Sequence, residues 1–107
     1  MKTSELSGTA LDWAVAKAEG TAYAVWRFTT HHADGDFRYS TDWGQGGPII
    51  EREGITIEWT GENWMGYIWH DEEFFGPTPL VVAMRCFVAL ILGHEVEIPQ
   101  ELLRQAA

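Results

Sequence analysis

ITIEWTGENWMGYIWH, residues 55–70, reads as two β-strands and the turn between them. In ITIEW the apolar Ile55, Ile57 and Trp59 alternate with Thr56 and Glu58, the period-two pattern of a half-buried strand. Thr60, Gly61 and Glu62 supply the turn, so the two runs are expected to pair as an antiparallel hairpin. The second run is different. Trp64 and Ile68 alternate with Met65, Tyr67 and Trp69, so both faces are apolar and both need cover from a helix, a subunit or a ligand.

Towards the C-terminus, Gly76-Pro77-Thr78-Pro79 starts the longest helix, with Thr78 as N-cap and Pro79 as its first residue, and Gly93 ends it. Twelve of the thirteen residues from Leu80 to Leu92 are apolar. A helix apolar all round is a buried one, and a chain this short barely surrounds it, which points to a homodimer. EVEIP, residues 95–99, reads as extended, with a turn of helix from Pro99. Towards the N-terminus lies YSTDWGQGGPIIERE, residues 39–53, read as a glycine loop at Gly44–Gly47 followed by a short helix from Pro48 to Gly54. Before it, DFRYS (36–40) and TAYAVWRFTT (21–30) read as strands joined by a tight turn at 33–36. Thr9 is the expected cap of a first helix that stops at Gly20, with Leu11, Ala14, Val15 and Ala18 on its inner face. Helix, strands, then helix is the order of an α+β domain: a small antiparallel sheet of three to five strands with two main helices packed on one face. Residues 1–107 are read as one domain.

Sixteen acids against seven Lys and Arg give a net charge of −9. Such a field repels phosphate at long range, which excludes a nucleic-acid-coating role and leaves a basic partner or a short-range ligand site. The single Cys86 has no internal disulfide partner and fits a reducing cytoplasm. MKTSELSGTALDW lacks the apolar core of a signal peptide, and Leu80–Leu92 is shorter than the roughly 20 residues a membrane-spanning helix needs. Six Trp exceed what a core of this size holds, so some belong to a groove or an interface.

Catalytic chemistry finds no foothold. Cys86 among Met84, Phe87 and Val88 reads as an inert core thiol, and no Ser or Cys has a nearby His and Asp. Glu51 and Glu53, two apart on a helix, do not face each other. His31, His32, Asp34 and Asp36 read as a polar hairpin tip, and His70-Asp71-Glu72-Glu73 as a solvated strand end; neither is read as a metal site. Gly44-Gln45-Gly46-Gly47 resembles a phosphate cradle only in outline, since no Lys or Ser/Thr follows and Pro48 lacks an amide. No cofactor is implied. Arg85 stands out, because a guanidinium on an apolar helix must be paired. Its partner is expected to be Asp42 or an acid of Glu51-Arg52-Glu53. Alternatively it clamps a planar anionic ligand against Tyr39, Trp43 and the hairpin tryptophans.

MKTSEL (1–6), ALDWAVAKAEG (10–20), YSTDWGQGGPIIEREGI (39–55) and GPTPLVVAMRCFVALILGHEVEIPQEL (76–102) resemble the NinX-like family of phage and prophage proteins. The stretch between Gly20 and Tyr39 carries no part of the likeness, and a Cys associated with the family's first helix is replaced here by Ala18. The resemblance implies an accessory phage protein working in the host cytoplasm on host machinery or defence. It brings no mechanism. The favoured reading is a non-enzymatic binding module for a host factor or a small ligand, nucleotides included. Tyr39, Asp42, Trp43, Gln45, Trp64, Trp69 and Arg85 are its candidate site residues. The rival is an acidic mimic of nucleic acid that occupies a host DNA-binding protein, and a small hydrolase is the least favoured.

Overall fold

The hairpin forms as its alternation requires. β1 (Thr56–Trp59) pairs antiparallel with β2 (Trp64–Tyr67), with Ile57 opposite Gly66 and Trp59 opposite Trp64. The computed structural model describes residues 1–20, 25, 37–69, 72–100 and 102. Within these, a third strand, β3 (Phe74–Gly76), pairs antiparallel with β2 to give a sheet of order β1-β2-β3. Three residues, one of them glycine, are too short a run for alternation to betray it.

Every strand packs under α3 (Pro79–Leu92). Its start is as expected: Thr78 accepts a hydrogen bond from the Val81 amide at 3.1 Å, Pro79 is the first residue, and Gly93 follows the end at φ 91°. The helix settles closely because two strand residues beneath it lack side chains. A Cβ on Gly66 would lie 3.2 Å from Cys86 Sγ, and one on Gly76 would lie 3.3 Å from an Arg85 nitrogen. Ile55, Ile57, Trp64 and Phe74 complete this inner face. Trp59, expected inward, is instead exposed; at the turn end of the ladder it leans on Trp64 with ring centroids 5.3 Å apart.

On its other sides α3 meets α1 (Gly8–Ala18), α2 (Trp43–Glu53) and a 3-10 turn at Thr3–Glu5. The class is α+β, with α3 on the sheet and α1 and α2 packed against α3. One chain thus surrounds the helix from Leu80 to Val88, leaving Leu90 and Ile91 exposed beyond it. The apolar sequence of those first turns is therefore satisfied without a second copy.

Two helix starts depart from expectation. α1 begins two residues early at Gly8, with Ser7 rather than Thr9 at the N-cap, and Asp12 turns inward to accept the Ser40 amide at 2.8 Å. α2 begins at Trp43, so the supposed glycine loop is helical and Pro48 lies inside it. The reason is local: Asp42 caps the helix by accepting from the Gly44 amide at 2.9 Å. Gly46 permits close packing, since a Cβ there would be 2.4 Å from the Tyr39 carbonyl oxygen and 2.7 Å from Leu80 Cδ2. Gly54 at φ 65° closes the helix as read. Of DFRYS, residues 37–40 are not a strand: 39 and 40 lie in a turn, where Thr41 and Asp42 amides bond back to the Arg38 carbonyl. The strand expected over 21–30 and the turn at 33–36 lie outside the described residues, except Val25, whose backbone is helical. After α3 the chain is extended, and Glu95 bridges Lys2 while Thr3 bonds the Gly93 and His94 carbonyls. Among the described residues no helix is long and apolar enough to cross a membrane.

Candidate functional site

The seven residues singled out in the sequence do not converge. Tyr39, Asp42 and Gln45 are neighbours, but the side chains of Asp42 and Gln45 serve the entry to α2. Gln45 accepts the Arg38 amide at 2.8 Å and donates to the second Asp42 oxygen at 3.3 Å. The Tyr39 phenol is half-buried, and burial, then the charges of Glu19 and Asp12, hold it protonated above its usual range. Trp43 is exposed on the first turn of α2.

Arg85 lies elsewhere. Leu80 and Phe87 mark the side of α3 that meets α2, the first by Gly46 and the second under the Arg52 guanidinium. Arg85 points instead to the sheet edge and the N-terminal segment. It donates through Nε to the Leu6 carbonyl and through a terminal nitrogen to the Phe75 carbonyl, both at 2.7 Å. The expected ion pair with Asp42 or the acids at 51 and 53 does not form. Asp42 is engaged as a cap, and Arg52 takes Glu53 at 2.7 Å and also Glu19. Arg85 is therefore a tie between backbone segments, and desolvation lowers its pKa. Trp64 packs under α3 against Trp59.

Trp69, the seventh, borders a recess of about 240 Å³ between the end of β2, the start of β3 and the C-terminal half of α3. Ile68, Phe74, Cys86, Ala89 and Leu90 make its wall apolar, and Glu72 brings one carboxylate to it. Glu72 Oε2 lies 2.5 Å from His94 Nε2, and the His94 ring lies nearly parallel to Phe74 with centroids 6.5 Å apart. Burial, reinforced by the charge of Glu72, pushes the Cys86 thiol up to about 12. Such a thiol stays protonated near neutral pH, so it lines the recess without acting as a nucleophile. The recess can hold an apolar group and offer it one charged acceptor.

Of these lining residues only Trp69 was found by sequence reasoning. They span residues 68 to 90 with no fixed motif, and only the docking of α3 on the sheet brings them together. The strand-end acids had a signal in the run His70–Glu73, of which 70 and 71 lie outside the described residues. The histidines and acids at 31–36 lie outside them too, and the described residues contain no group of three or more His, Cys, Asp or Glu placed to share a metal ion.

No curated protein matches the chain. Residues 2–90, which run from the N-terminal 3-10 turn almost to the end of α3, match the family model described as Bacteriophage P22, NinX, and the chain belongs to that phage family.

Proposed function

We propose that this phage protein is a binding module without catalysis of its own, which takes part of a host factor or a small ligand into the recess beside Trp69. The carrying observation is the contrast at the C-terminal half of α3. The helix is buried up to Val88, yet the chain leaves Leu90 at 42% and Trp69 at 69% exposed around an open apolar recess. Contiguous exposed apolar surface around a concavity is characteristic of a binding site. Among the described lining residues the one thiol is not an activated nucleophile, which supports binding over catalysis. The reading includes action on host machinery or defence, and a homodimer formed across the outer face of the sheet, where Met65, Tyr67 and Phe75 stand.

The test fills the recess. Ala89→Phe places a ring in it from a half-buried position on α3. Native mass spectrometry and affinity capture from infected cells then compare this variant with the wild type. A molecule held by the wild type and lost by a folded Ala89→Phe variant supports the recess. Identical retention by both places binding elsewhere.

A further inference from the structure

We infer that the recess takes a cationic group on an apolar stem, an alkylammonium or alkylguanidinium. This rests on the binding role proposed above and narrows it to a ligand class. Size sets the first limit. Pockets for drug-sized ligands run from about 300 to 1,000 Å³, so about 240 Å³ suits one side chain or a small amine and not a nucleotide. Charge sets the second. Glu72 is the ionisable acceptor in the lining, and no Lys or Arg is among the described lining residues. Two of the described cations are engaged elsewhere: Arg85 on two carbonyls, Arg52 on Glu19 and Glu53. The partner Glu72 does have is the His94 imidazole, which takes Oε2 and leaves Oε1 as an acceptor among the described residues. An anion entering here meets Glu72 inside a chain of net charge −9, whereas a cation is drawn in by both. Trp69 and Phe74 supply the aromatic surface on which an ammonium or guanidinium settles. Ile68, Ala89 and Leu90 supply cover for its methylene stem.

Two sources share this chemistry: a free amine and a Lys or Arg side chain of a partner protein. The test titrates the full chain, labelled with nitrogen-15, with butylammonium, butylguanidinium, butanol, butyrate and end-capped lysine and arginine peptides. Butylammonium or butylguanidinium is expected to shift the Trp69 indole and the Ala89 and Leu90 amides. Butanol should bind at least tenfold more weakly, and butyrate should leave those signals still. Glu72→Gln, at an exposed position that leaves the fold intact, should weaken the cation at least tenfold. Peptides tighter than the free amines assign a protein side chain, and the reverse order assigns a small amine; either supports the class. Butanol or butyrate binding as tightly as the cations, or Glu72→Gln binding them unchanged, overturns the ligand class while the recess remains a site. Silence of Trp69, Ala89 and Leu90 towards every probe overturns the class and the recess together.

Discussion

Gly46→Ala pits two effects of known size against each other. In a helix interior alanine is favoured over glycine by about 1 kcal/mol, so propensity alone predicts a stabler protein. The structure predicts the reverse. The new Cβ would sit 2.4 Å from the Tyr39 carbonyl oxygen and 2.7 Å from Leu80 Cδ2. A carbon normally approaches a carbonyl oxygen no closer than about 3.3 Å, so α2 or the turn before it must move by roughly 0.9 Å. Leu80 can yield, but the oxygen belongs to backbone fixed by the Ser40–Asp12 bond and by the bonds to Arg38. Overpacking costs about 1–3 kcal/mol in typical cores, and this contact belongs at or above the top of that range. The net loss is therefore about 2 kcal/mol or more, a fall of roughly 8–16 °C in melting temperature for a domain near this size. Gly47→Ala is the control, since its Cβ meets only the Trp43 ring at 4.0 Å. Its helical gain is opposed by crowding against Pro48, leaving it near neutral. Urea unfolding at constant m-value reads both variants. A Gly46→Ala protein as stable as the wild type would refute the packing of α2 on Tyr39 and Leu80.

Arg85→Met should cost about 2–3 kcal/mol, because two carbonyls lose a charged donor, and adding Asp42→Asn should rescue nothing. Recovery in the double mutant, measured by urea unfolding, would restore the ion pair that the structure denies. Cys86, with its thiol pushed from 9.0 to about 12, should react with iodoacetamide at pH 8 on the order of a thousandfold more slowly than in the unfolded chain. Because the folded form holds that proton longer, the thiol adds no pH dependence below about pH 9, and stability falls as pH rises from there towards 12. A flat stability profile over that window would contradict the burial. Light scattering at micromolar concentration should give about twice the chain mass of 12.1 kDa, and a monomer would remove the proposed pairing of outer sheet faces.

The parts legible in the sequence are those whose signals are local. Alternation marks β1, an apolar run after the Thr60–Glu62 turn marks β2, and Thr78-Pro79 with Gly93 bracket α3 to the residue. Where a residue type has two uses, the local signal misleads. Glycine and proline at 44–48 suggested a loop, although Asp42 as cap and the need for contact at Gly46 make the same letters a helix. Arg85 was rightly expected to have partners, but carbonyls exist at every residue and leave no mark in a sequence. For the same reason only Trp69 of the recess was visible. Its other walls are Glu72 and ordinary apolar residues of the sheet region and a helix, and it is their juxtaposition that has meaning.

The position of α3 in the chain governs how the protein is born. Sheet, α1 and α2 all rest on a helix that begins at Pro79, so the hairpin can pair earlier but its inner face and the two preceding helices lack their common support until then. At about 5–20 residues per second, a ribosome takes roughly 4–16 s to make those 78 residues before the helix that organises them starts to appear. During that interval Trp13, Ile49 and the hairpin aromatics have no core to enter. A nascent chain cut or stalled before residue 79 would offer chaperones and proteases a sticky, incompletely assembled set of parts, while fourteen more residues supply the central helix and the segment after it adds Val96, Ile98 and Leu102 to the core.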